Sequence, residues 1–120
     1  MGEVFVFDCR GILNPGREEI YKTKTGKDIE VIQYLESKTK MPEFLRHVFD
    51  VVDTQVEDFL QRGFEDMMIS FGCTGGQHRS VYAAERTAAH LRDKYGIEHI
   101  DVLHMEQSPH DRNRSFGGQL

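Results

Sequence analysis

The sequence predicts an α/β fold: a small, largely parallel sheet with helices packed on it, in the order strand, two helices, strand, helix, strand. Three observations carry this. Two short apolar runs, Val4-Phe5-Val6-Phe7 and Met67-Met68-Ile69-Ser70-Phe71, have strand length. The stretches between and after them repeat their apolar residues at helical spacing. A glycine-rich turn, Gly72 to Gly76, leads from the second run into a helix. Strands that alternate with helices favour parallel pairing through crossovers.

The first strand ends in Asp8-Cys9-Arg10-Gly11 and passes into a long polar loop containing Asn14-Pro15-Gly16 and Lys22-Thr23-Lys24-Thr25-Gly26. Loops of that length in a compact domain are commonly functional or mobile. Asp28 is placed to cap a short helix running through Ile29, Ile32, Tyr34 and Leu35. Pro42 suits the first turn of a second helix. Leu45, Phe49, Val52, Val56 and Phe59 form the apolar face of that helix, and Gly63 is its expected stop. The second strand follows. A third helix is expected to start near His78 or Arg79, to turn Val81, Ala84, Ala88 and Leu91 inward, and to close at Gly96. Ile100, Val102 and Leu103, within the span 99–104, predict a third strand. The domain is expected to span residues 1–106, and residues 107–120 to form a mobile tail.

The segment Gly72 to Val81 has the composition of an anion cradle. Glycines allow a tight turn whose N–H groups share one hollow, and the dipole of the helix that follows favours a negative group there. Thr74 and Ser80 add hydroxyls, and Arg79 a planar cation suited to phosphate. In parallel sheets, ligands bind beyond the carboxyl ends of the strands. Asp8, Cys9 and Arg10 follow the first strand, Cys73 to Arg79 the second, and His104 the third, so these groups are expected to meet on one rim. The segment lacks the Gly-Lys-Ser/Thr of a nucleotide-hydrolysing P-loop.

Composition narrows the function classes. The chain has 120 residues, 38% hydrophobic and 29% charged, with a net charge of -5, which opposes binding nucleic acid across the whole surface. Phenylalanines are expected to carry much of one modest core. No apolar run has the length of a membrane span. Two cysteines make no disulfide framework and suit a reducing cytoplasm. His99 and His104 lack the accompanying ligand spacing of a metal centre, so neither metal nor cofactor is expected.

Several residues admit two readings. Cys73, five residues and then Arg79-Ser80 is the spacing of cysteine-dependent phosphatases, with Asp8 or Asp101 available as an acid. The other reading makes Cys73 a small residue closing a strand. Asp8 and Arg10 are either a ligand wall or an ion pair tying down the loop. Lys22, Lys24 and Thr25 read as solvated loop residues. His78 reads as a ligand contact or as an exposed helix start. His47 and His90 read as surface or packing residues, and Tyr82, Phe44 and Phe59 as packing aromatics.

Gly72-Cys73-Thr74-Gly75-Gly76-Gln77-His78-Arg79-Ser80-Val81-Tyr82 resembles the signature of the carboxyl-terminal domain of RapZ-type proteins, the RNase adapter family. Phe7-Asp8-Cys9-Arg10 with Asn14-Pro15, Thr25-Gly26-x-Asp28 and Tyr34-Leu35 fit the same pattern, so that the resemblance runs from about Val4 to His104. It implies a fold similar to a phosphofructokinase subdomain and a regulatory domain that senses an amino-sugar phosphate such as glucosamine-6-phosphate. It carries ligand-binding roles onto Asp8, Arg10, Asn14, Cys73, Thr74, Gly75, Gly76, His78, Arg79 and His104, beside the hydroxyl of Ser80. Proteins of this kind also have an amino-terminal P-loop kinase-like domain and a strand before the Phe-Asp-x-Arg segment. Neither is present here, so the chain is expected to be a piece of a longer protein, acting as a homo-oligomer or with a fused or associated kinase-like domain. Some members bind small RNAs through a basic tail. Here the tail is Asp111-Arg112-Asn113-Arg114 on an acidic domain, which opposes RNA binding. The sequence is therefore read as a cytoplasmic binding domain for a phosphorylated metabolite, with a Cys73 phosphatase and an RNA-binding adapter as alternatives.

Overall fold

A computed structural model describes residues 3–63, 67–73 and 76–102. Strand β1 is Glu3–Asp8, helix α1 Ile29–Lys38, helix α2 Met41–Arg62, strand β2 Met67–Gly72 and helix α3 Arg79–Tyr95. The strands pair in parallel, from Glu3 opposite Met67 to Asp8 opposite Gly72. The result is a small α/β domain of order β-α-α-β-α. No strand forms over 97–102, although 99–104 reads as one. Leu103 and His104, like residues 107–120 of the expected tail, lie outside the described residues.

The helix punctuation follows local chemistry. Pro42 lies in the first turn of α2, where a missing N–H costs nothing. Gly63 and Gly96 end α2 and α3 in the left-handed region, with φ of 75° and 64°. Asp28 holds the cap position of α1, but its carboxylate reaches backwards. Oδ2 accepts from Thr25 N at 2.7 Å, while Thr25 Oγ1 accepts from Lys27 N. The carboxylate thus closes the preceding turn rather than capping α1.

The core lies between the sheet and the helices. One cluster, beneath the carboxyl ends of the strands, joins Cys9 and Ile12 to Val31, Leu35, Met41, Leu45, Tyr82 and Ala83. A second joins Val48, Val52 and Val56 of α2 to Leu91 of α3, with Phe7, Ile69 and Phe71 packed against it. Among the described phenylalanines only Phe59 is fully buried. Phe7, Phe44, Phe49 and Phe71 line the margins of a mainly aliphatic core. On the uncovered face Val4, Val6 and Met68 are 61–62% exposed. On α3 it is Ala83, beside Val81, Ala88 and Leu91, that is buried, and Ala84 lies at the margin. No helix among the described residues is long and apolar enough to cross a membrane.

Asp53 locks α2 to α3. Its carboxylate accepts from His90 Nε2 at 2.8 Å and from Lys94 Nζ at 2.9 Å, and the His90 ring stacks on Phe49. Burial opposes ionisation of Asp53, but the hydrogen bonds and charges of Lys94 and His90 outweigh it and hold the carboxyl below its ordinary value. A carboxyl lowered by folding stabilises above its unfolded pKa, and that stability is lost as pH falls through the folded value. Urea titrations at pH 7 and pH 3 should therefore show a smaller acid loss for Asp53→Asn, which starts less stable, than for the wild type.

Candidate functional site

The site is built where both strands end. The ladder continues one step past the sheet, with Cys9 N donating to Gly72 O at 2.7 Å, so the loops leaving β1 and β2 start side by side. Arg79, the first residue of α3, is only 4% exposed and lies between them. Its Nη1 donates to the carbonyl of Ile12 at 2.8 Å, with longer contacts to those of Arg10 at 3.3 Å and Cys9 at 3.4 Å. Its Nε is buried with no hydrogen-bond partner among the described residues. A buried unpaired donor is costly, and an anion beside it would supply an acceptor.

The polar loop after β1 is ordered rather than free. It contains two short 3-10 turns, Pro15–Arg17 and Glu19–Tyr21. Asn14 Oδ1 accepts from Gly16 N at 2.9 Å, which fixes the first turn. The loop then folds against the start of α3. Gln77 Nε2 donates to the carbonyls of Lys22 and Lys24, both at 2.7 Å, and Gly26 N donates to Gln77 O. His78 is 6% exposed, and its Nε2 donates to Tyr21 O at 2.8 Å. It is therefore a buried strut rather than an exposed helix start. Lys22 and Lys24 likewise contribute backbone to this seam.

Asp8 and Arg10 form a local pair. Arg10 Nη2 meets Asp8 Oδ2 at 2.7 Å, Nε meets both carboxylate oxygens, and Arg10 N donates to Oδ1. The Arg10 side-chain and backbone hydrogen bonds hold the Asp8 carboxyl below its ordinary value. Both side chains are about half exposed. Burial pushes the Cys9 thiol up to about 12, so it stays protonated. Cys73, just after β2, instead faces the start of α3. Its thiol lies 3.2 Å from Ser80 Oγ, and Ser80 N donates to Sγ at 3.4 Å. Gly76 turns in the left-handed region, φ 60°, which favours glycine. Thr74, Gly75 and His104 lie outside the described residues.

A cavity of about 560 Å³ opens beside Arg79. Its lining brings together Arg10, Asn14 and Arg79, which the sequence singled out, with Arg17, Lys38, Thr39 and Lys40, which it did not. The latter come from the first 3-10 turn and from the junction between α1 and α2. No local pattern in the sequence marks Arg17 or the Lys38-Thr39-Lys40 stretch as part of a site.

Comparison with known proteins fits this geometry. The profile of the RapZ C-terminal domain matches residues 2–108. Relatives include nucleotide-binding proteins of Shewanella halifaxensis, 38% identical over 85% of this chain, and Thioalkalivibrio sulfidiphilus, 39% identical over 87%. A nucleotide-binding protein of Nitrosomonas eutropha is 40% identical over 73% of the chain. The matches cover 35%, 36% and 31% of those relatives, so this chain spans about a third of their length. With its matching profile, a sheet that brings Asp8 to Arg10 beside Cys73, and Arg79 bridging the two loops, the chain belongs to the RapZ C-terminal domain family.

Proposed function

We propose that this domain binds a small phosphorylated metabolite in a regulatory role, in the cytoplasm, with the amino-sugar phosphate glucosamine-6-phosphate as its leading candidate. The observation that carries the reading is the buried Arg79, with an unpartnered Nε, in the wall of a cavity of small-molecule size. In this reading Arg79 and the start of α3 take the phosphoryl group. Asn14 and His78 take sugar hydroxyls, Asp8 the ammonium, and Thr74, Gly75, Gly76 and His104 are further ligand contacts. The printed name of the relatives, nucleotide-binding protein, agrees with a phosphorylated ligand, although it describes proteins about three times as long. The signal is then passed to a second copy or to a kinase-like neighbour.

Thermal shift tests this directly. A ligand at a hundred times its Kd adds about 2.7 kcal/mol of stability. Glucosamine-6-phosphate should raise the melting temperature more than glucose 6-phosphate, and Asp8→Asn should remove that preference. No shift with any sugar phosphate would reject the reading. The hydrogen bonds between Cys73 and Ser80 favour a second reading, a thiol-dependent phosphatase. Turnover of an aryl phosphate that is lost in Cys73→Ser would establish it.

A further inference from the structure

We propose that Arg17, Lys38 and Lys40 form a second anion subsite, so that the ligand of this cavity carries two separate anionic groups, as a sugar bisphosphate does. This rests on the reading that the domain binds a phosphorylated metabolite, and it specifies the class.

Charge pairing marks the subsite. Among the described lysines, Lys22, Lys24, Lys27 and Lys94 each face a carboxylate within 4 Å. Lys38 and Lys40 face no described carboxylate, and both border the cavity, as does Arg17, which is in no ion pair with a described residue. Among the described residues no Asp or Glu contributes to the lining, although the chain as a whole has a net charge of -5. Arg10 also borders the cavity, but Asp8 already neutralises it. Among the described lining residues the cations without a paired carboxylate are therefore Arg17, Lys38, Lys40 and Arg79. A single phosphoryl group carries at most two negative charges, which leaves the Arg17–Lys38–Lys40 side unmatched.

Helix electrostatics points the same way. Lys38 ends α1, where a cation is favoured whatever the function. Lys40, however, occupies the cap position of α2, where the helix dipole repels a cation, and it makes no capping hydrogen bond. Thr39 Oγ1 accepts from Met41 N in its place. An anion bound here would interact with Lys40 and the start of α2 together. Arg79, whose buried Nε has no acceptor among the described residues, borders the same cavity and gives it a further anion-seeking group. A volume near 560 Å³ suits a small molecule, and the chain's net charge of -5 disfavours a nucleic-acid strand.

Calorimetry at fixed ionic strength on the full chain, with glucose 6-phosphate and glucose 1,6-bisphosphate as probes, tests the subsite. The bisphosphate should bind about tenfold more tightly, as one added set of charge-assisted contacts implies. Replacing Lys38→Gln and Lys40→Gln together should bring that ratio close to one, and Arg17→Gln should lower it. Melting curves of the free variants check that they fold. Equal binding of the two probes by the wild type would overturn the second subsite and leave the monophosphate reading standing. Tight bisphosphate binding without monophosphate binding would do the reverse. A ratio unchanged in the Lys38/Lys40 variant would overturn the assignment. So would binding to a single-stranded RNA oligonucleotide in place of both sugar phosphates.

Discussion

Replacing Arg79 with alanine is expected to lower the unfolding free energy by about 2–4 kcal/mol, besides weakening anion binding. The guanidinium is almost fully buried and holds the backbone of the loop after β1 through the carbonyls of Cys9, Arg10 and Ile12. Truncation leaves these acceptors without their donor and opens a gap beneath the loop. Urea unfolding should show a lower midpoint with little change in slope. Arg79→Lys separates the two roles, since it keeps a charge near the cavity but loses the rigid fork. It should recover part of the anion affinity and less of the stability. Full wild-type stability in Arg79→Ala would remove the loop anchor. Arg79 would then act on the ligand alone.

Replacing Gly26 with alanine is expected to cost at least about 2 kcal/mol, as overpacking against backbone does. A Cβ there would lie 2.3 Å from His78 O and 2.5 Å from Tyr82 N. Both atoms belong to the first turn of α3, and neither can rotate away as a side-chain tip would. Relief therefore requires the loop to leave the helix, breaking the Gly26 N–Gln77 O bond and disturbing the Gln77 contacts to Lys22 and Lys24. Gly11 is the matched control, with nothing within 4 Å of its Cβ position, so Gly11→Ala should melt close to wild type. Equal melting temperatures for the two variants would contradict the close approach at Gly26.

These two positions differ in how openly the sequence announces them. Arg79 is conspicuous, because a permanently charged fork after a glycine-rich turn has few other uses. Its partners are not, since the carbonyls it holds lie 67 to 70 residues away. Gly26 reads as an ordinary loop glycine, and only the packing of that loop on α3 gives it a role. Gln77 was silent for the same reason: an amide between a glycine and a histidine has no local pattern that names the carbonyls of Lys22 and Lys24 as its acceptors. The burial of His78 likewise depends on Tyr21, 57 residues away.

The elements themselves were legible, because their causes are local. The apolar stripe of α2, Pro42 in its first turn and the left-handed glycines Gly63 and Gly96 act within a few residues. The parallel pairing followed from alternation, and it brought Asp8 beside Gly72 as the strand ends required. The chain order thus settled the α/β class and the meeting of the two loops at one rim. Tertiary structure decided what that rim contains. It paired Asp8 with Arg10, turned part of the Arg79 guanidinium toward backbone, and drew Arg17, Lys38 and Lys40 to the cavity. Periodicity and capping depend on neighbours in sequence, whereas charge pairing and burial depend on neighbours in space, and those are set only when the loops close over α3.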